Sequence, residues 1–414
     1  MMTLYKISLL TSLYVSQGLP HGFFTQALPV LLRHYHFSLA AIGLTSLLSL
    51  TWAFKFVWSP LVDQHGSNRF GYRKSWIVPL QLMAVLLLML TSLINPQHAP
   101  MVIISMAFLA NLIAATQDVA TDALAIDMLT PEERGIGNGI QIAGYRIGMI
   151  LGGGVVLMVF DHFGWGSAFL MLSMLLLAGS LPIALYQEPP RLVQSADMHD
   201  RRRYGSLVLD SFRRPHMGLW LVVLMTYKAG DSLGSVMLRP FLVDRGLQLA
   251  DIGWMIGTIG FSAGLGGAVV GGLVLNQVGR TRSMIVFGLM HMLSMGLYAL
   301  SAAGLGTVGW LYVFCASEYF AGSLASVALF AHMMDRSRVE ASATDYTVQA
   351  STLAFATNVV GATSGFLAGS VGYTVLFMLS AALGLAGVAI FMLMHYVQSL
   401  DGKGLWALKR YTET

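Results

Sequence analysis

Charge is the commodity this sequence holds least of. Only 11% of its 414 residues are Asp, Glu, Lys or Arg, while 56% are hydrophobic; a soluble domain carries about a quarter charged residues. Such a chain cannot cover itself with polar surface, so lipid is its main solvent. Cysteine is almost missing too. Cys315 stands alone, which excludes an internal disulfide or a thiolate metal cluster and leaves a small apolar side chain within a hydrophobic run. No phosphate-cradling glycine loop is present, so nothing supports a nucleotide-driven pump. Nor is there a nucleophile–base pair, which argues against an enzyme. The formal net charge of +4 comes from bases scattered over loops, not gathered on a polar module, so nucleic acid is not an expected partner.

What the sequence has instead is apolar runs. Twelve are long enough to cross a bilayer, near 7–32, 39–63, 75–94, 101–129, 135–160 and 166–187, then near 217–243, 249–277, 282–303, 309–334, 342–370 and 373–398. The reading is an all-α polytopic membrane protein. It has an N-terminal six-helix bundle (1–187), a cytoplasmic linker (188–216), a C-terminal six-helix bundle (217–398) and a cytoplasmic tail (399–414). The first run follows Lys6 and is too long for a cleaved signal, so it is read as a retained span. Lys and Arg fix the expected orientation. With the N-terminus inside, eighteen fall on the cytoplasmic side, among them Arg69, Arg73, Lys74, Arg134, Arg201, Arg202, Arg203, Arg280, Arg282 and Arg410, against Arg33 and Arg245 outside. Ser206 to Phe212 is expected to form a short helix at the membrane surface, and Gly404 to Trp406 an interfacial anchor.

The few charges inside the spans are the candidate working parts, because a charge at hydrocarbon depth is costly unless it is partnered or wet. Lys55, Asp118, Asp122 and Arg146 fall at similar depths by helix rise, and two bases against two acids make a neutral network that can respond to protonation or serve only as a clamp. In the second half, Lys228 and Asp231 lie three apart. Glu318 falls near mid-bilayer, with Lys228 and His291 as candidate neighbours, and is the leading proton-coupling or substrate-contacting acid. Pro20 between two glycines predicts a kink or unwound turn beside Gln17 and His21. Gln141, Tyr145, Tyr227 and Tyr319 offer an amphipathic lining. Asp63 and Arg73 are expected to form a cytoplasmic gate. His34 and His36 form an H-x-H with nothing to complete a metal site, and Gly152 to Gly154 favour close helix packing. No metal or cofactor is expected.

The loop Ser59-Pro60-Leu61-Val62-Asp63 with Phe70-Gly71-Tyr72-Arg73-Lys74, and its counterpart Gly271 to Arg282, resemble the signature loop of the major facilitator superfamily. Each copy departs from it: Ser59 stands for a glycine, Gln64 for an arginine, and Asn276 near the acid. The resemblance implies two bundles around a central cavity, working by alternating access. The strings Tyr14 to Pro20, Phe54 to Asp63, Gln117 to Asp122, Pro131 to Gly135 and Gly144 to Met149 are similar to the AmpG-like branch. Within it, the compact chain looks most like the inner-membrane ferric-siderophore permeases of the rhizobactin and pyochelin group. That resemblance implies proton-coupled import of an iron–siderophore chelate by a monomer in a bacterial inner membrane. A muropeptide permease and a drug exporter stay open, although Gly144 to Gly154 lacks the proline usual in exporters.

Overall fold

The computed structural model describes residues 2–28, 31–32, 50–95, 100–189 and 204–412, and its regular structure there is helical apart from one bridge between Ser67 and Gly71. Eight helices among the described residues are long and apolar enough to cross a membrane. Two of them are double. Arg134–Leu185 runs 52 residues and Ser342–Ser399 runs 58, about twice what a ~30 Å hydrocarbon layer takes at ~1.5 Å per residue. Each breaks at a glycine in the left-handed region, Gly164 (φ 80°) and Gly372 (φ 77°), where a side chain would strain the backbone. Those breaks fall at the turns expected between spans five and six and between eleven and twelve.

Three local departures from regular helix matter for the charges. The first span runs as Leu4–Gly22 straight through Pro20 and then widens into a π-helical segment, Phe23–Ala27. The expected kink is thus a wide turn just after Pro20 and not an unwound one, and the backbone stays helical through it. The second span, described from Leu50 onward, tightens to a 3-10 turn at Lys55–Val57 before Ser59–Gln64. Span seven is two helices, Met217–Tyr227 and Ala229–Asp244, meeting at Lys228 (φ −104°, ψ −1°). The expected H-x-H at His34 and His36 and the arginine triplet at 201–203 lie outside the described residues. The short helix expected at 206–212 is present as Tyr204–Arg213.

The chain forms two compact units, Met1–Val208 with Phe330–Ser351, and Leu209–Leu329 with Thr352–Thr414. In the first, spans one and five meet along glycines. A Cβ on Gly148 would strike the Val15 carbonyl and lie 2.7 Å from the Gly18 Cα, and one on Gly152 would strike the Leu19 carbonyl. Bare glycine faces let the backbones touch, as membrane helices do where lipid offers no hydrophobic drive to associate. Phe23, Phe169, Trp165 and Leu172 fill the adjoining core. The core of the second unit is aromatic: Phe377 meets Phe241 edge-to-face at 5.3 Å and Tyr298 at a tilt at 5.4 Å. Leucine and methionine point outward along several spans, as Leu82, Leu86 and Leu90 do on Lys74–Ser92, giving a face that suits acyl chains and not water.

Candidate functional site

The first unit carries a buried ionic network. Lys55 and Asp118 are bonded directly and are 5% and 6% exposed. The 3-10 turn sets the lysine stem beside Trp52, with its ammonium 5.3 Å from the indole ring, a favourable cation–π placement. Asp122, one turn after Asp118, accepts from the Tyr14 hydroxyl at 3.2 Å and from Gln141 Nε2 at 3.1 Å. Spans two and four are thereby tied together, and spans one and five to four. His21 lies edge-on to Trp52 at 5.8 Å and 5.4 Å from the Tyr145 ring. Arg146 follows Tyr145 and is half-buried. Several buried polar atoms have no hydrogen-bond partner: Gln17 Nε2, Gln117 Nε2, Thr121 Oγ1 and Gln141 Oε1. An unmade bond of this kind costs about 1–3 kcal/mol, so these atoms point to water or a polar solute as their partner.

The second unit holds its own cluster. Lys228 Nζ is 2.9 Å from Asp231 Oδ2 and 3.4 Å from the Gly322 carbonyl. The break in span seven places this lysine at a helix junction, its own carbonyl accepting from the Ser232 amide at 3.0 Å. His291 Nε2 lies 3.5 Å from Asp231 Oδ1 and 3.6 Å from Glu318 Oε1. Spans seven, nine and ten thus converge on one histidine, which the sequence places only as a neighbour of Glu318. Tyr227 donates to the Met284 carbonyl at 2.8 Å and packs against Gly288 and Gly387, a packing role. Tyr319 lies against Gly260 and 6.0 Å from the Phe261 ring. Asp231, His291 and Glu318 offer atoms within 4.8 Å of one another, a spacing that also suits a cation, although the Lys228 ammonium already occupies one of the carboxylates.

A third network sits at the helix ends of the first unit. Arg73, fully buried, reaches Asp63 and Asp127, each at 2.9 Å, and donates to the Val62 carbonyl and Ser342 Oγ. Burial works against its charge, but Asp127 and then Asp63 more than offset that, so its pKa lies above the ordinary value. The Asp63 carboxylate also accepts from the Ala343 and Thr344 amides at 3.2 and 2.7 Å, capping the start of span eleven as an anion suits a helix N-terminus. Glu188 accepts from the Arg73 and Lys74 amides at the start of span three. Two further pairs of the same unit, Lys6 with Glu133 (2.6 Å) and Arg134 with Asp335 (2.7 Å), join segments far apart in sequence. The two residues expected at a cytoplasmic gate, Asp63 and Arg73, form an ion pair. Asp127, Glu188, Ser342 and Thr344 were missed; Asp127 alone left a trace, as a third acid after Asp118 and Asp122 on one helix.

Known proteins share this architecture. The Escherichia coli (strain K12) anhydromuropeptide permease is 26% identical over 398 residues, covering 94% of this chain and 79% of that one. An uncharacterised Haemophilus influenzae protein is 28% identical over 387 residues, covering 90% of each. Among solved structures, the E. coli fucose:proton symporter superposes with a TM-score of 0.72 at 12% identity, covering 94% of this chain and 98% of its own, which speaks to fold alone. Residues 10–362 match the Major Facilitator Superfamily, so the expected all-helical transporter fold stands, the protein is a permease and not an enzyme, and the chain belongs to that superfamily.

Proposed function

We propose that the chain is an uptake permease of the AmpG branch. It carries a bulky, polar-edged solute inward across a bacterial inner membrane by alternating access, driven by protons. The carrying observation is the pair of buried ionic networks, one per unit, each joining several helices at a depth where charge is retained only for use or registry. Both termini are on the cytoplasmic side in this reading, from the loop charge bias.

Two cargo classes follow from different observations. The likeness to the anhydromuropeptide permease, spread over nearly the whole chain, supports a sugar–peptide cargo, and the orphaned amides of Gln17, Gln117 and Gln141 are groups that would bind its hydroxyls and amides. An iron–siderophore chelate is supported by the likeness of the compact twelve-span chain to the siderophore permeases and by the His21, Trp52 and Tyr145 ring cluster, which suits a planar heteroaromatic chelator. Such cargo brings its iron fully coordinated, so the protein needs no metal ligands of its own. The test is uptake of labelled anhydromuropeptide, and of radiolabelled iron as several siderophore complexes, into cells with and without the chain. Accumulation of the muropeptide alone removes the chelate reading, and of one iron complex alone the muropeptide reading; accumulation indifferent to collapse of the proton gradient removes proton drive.

A further inference from the structure

We propose that His291 is the proton carrier of the second unit, holding the transported proton between Asp231 and Glu318 while Lys228 keeps Asp231 ionised. This rests on the proton-driven reading above and assigns the step to a residue that the sequence left as a bystander of Glu318.

The geometry is that of a receiving site. His291 is 1% exposed, and its Nε2 faces two carboxylate oxygens at 3.5 and 3.6 Å. These distances are too long for finished hydrogen bonds and close enough to become two after a small approach. Neither ring nitrogen has a hydrogen-bond partner, nor has Glu318 Oε2. Three buried polar atoms on two neighbouring side chains, left without partners, are expensive, which marks a place where something comes and goes. Charge counting says what that is. Lys228 against Asp231 and Glu318 leaves one uncompensated negative charge with His291 neutral, and one proton on the ring brings the four groups to zero. In a low-dielectric interior a neutral cluster is strongly preferred to a net charge. A proton on Glu318 would also restore neutrality. On His291, however, the proton faces two anions at once, and imidazole exchanges protons near neutral pH without a large perturbation.

The surroundings fit a carrier more than a fixed brace. Gly322 on span ten leaves room for the ring, since a Cβ there would come within 2.9 Å of His291 Nε2. Among the described residues, the other titratable groups near the cluster are Cys315, one turn before Glu318, with Tyr298 and Tyr319, and Tyr227, which is engaged with Met284; thiols and phenols are ordinarily neutral at physiological pH. A divalent ion on the same three side chains would lie beside the Lys228 ammonium, an arrangement the charge count does not favour.

The test begins without any cargo. In the purified full-length protein, histidine titration followed by infrared or nitrogen-15 magnetic resonance, wild type minus His291→Gln, is expected to show one buried imidazole titrating between about pH 5 and 9. Glu318→Gln, which removes one of the two facing anions, should move that midpoint toward acid by about one unit. A ring that does not titrate in this range, a midpoint indifferent to Glu318→Gln, or stoichiometric zinc binding lost in His291→Gln would each overturn the assignment. In vesicles supplied with labelled muropeptide or iron chelate, His291→Gln should cut gradient-driven accumulation about a hundredfold while equilibrium exchange survives. If wild-type uptake follows the proton gradient and the variant's still does, the assignment to His291 fails and proton drive stands; if wild-type uptake ignores the gradient, the proton-driven reading itself fails. Gly322→Ala, which crowds the ring without removing a charge, should shift the pH midpoint of exchange and leave folding intact, and no shift counts against the site.

Discussion

Lys55 and Asp118 illustrate what burial does to single charges, and why their value lies in being together. Neither reaches water to any extent, so each exists as an ion only because the other does. Removing one partner leaves the other stranded, which costs about 3–5 kcal/mol in comparable sites, whereas removing both costs far less. Lys55→Ala and Asp118→Ala are each expected to lower the melting temperature and abolish uptake. The double variant should melt closer to wild type; if it melts below both singles, the two side chains are not acting as a pair. A gentler case is Glu133, a turn residue outside the spans. Burial alone would raise its pKa, but the Lys6 and Thr130 hydrogen bonds and the Lys6 charge outweigh it, so its carboxyl titrates below the ordinary 4.5. A depressed acid stabilises the folded state fully above its unfolded pKa and loses that contribution as pH falls through the folded one. Melting curves from neutral to below about pH 4 should fall more steeply for wild type than for Glu133→Gln, the two converging at the acid end.

At the scale of elements, what was legible in the sequence is what periodicity and length control, and what was hidden is what packing decides. Twelve apolar runs, the turns at Gly164 and Gly372, and the short helix Tyr204–Arg213 follow from hydropathy and glycine placement. The 3-10 turn at Lys55 and the break at Lys228 do not, because each is set by where a buried ammonium meets its carboxylate. The candidate charges were legible as outliers against lipid-soluble neighbours; their partners were not, since a hydroxyl such as Tyr14 or a second acid such as Asp127 looks ordinary until the helices cross. Glycine runs were legible as packing surfaces but not residue by residue. In Gly152 to Gly154, the first meets the Leu19 carbonyl and the last has nothing within 4 Å. Gly148→Leu should therefore separate spans one and five and cost several kcal/mol, read as loss of folded protein in detergent. Gly154→Ala should be neutral or slightly stabilising, by up to about 1 kcal/mol from helix propensity. Equal effects at the two positions would show that the seam does not run along this face.

For the molecule as a whole, the telling feature is that Phe330–Ser351, the end of span ten and the start of span eleven, belongs by contacts with the first unit although it is far from it in sequence. What holds it there is largely polar. Asp63 caps the amides of Ala343 and Thr344, Arg73 and Asp127 share Ser342, and Arg134 meets Asp335. Bonds of this kind are directional and can all be lost over a short displacement, unlike an apolar seam that weakens gradually with area. A carrier needs such a latch, firm enough to keep one state and brittle enough to release it. Asp63 is the keystone because its two oxygens serve Arg73 and the helix amides together. Asp63→Ala takes away the cap and leaves Asp127 as the one carboxylate paired with Arg73, and a lost cap by itself is worth about 1 kcal/mol. Hydrogen exchange at 342–346 should quicken by roughly fivefold or more on that basis, while the helix Met217–Tyr227 in the other unit keeps its protection. Asp63→Asn should lie between, since an amide oxygen can still accept from Thr344 but no longer balances the guanidinium. Were exchange at 342–346 unchanged in Asp63→Ala, the segment would be held by its apolar contacts, such as Ala343 among Leu9, Val62 and Leu124, and the ionic groups would be passengers on a seam that does not open.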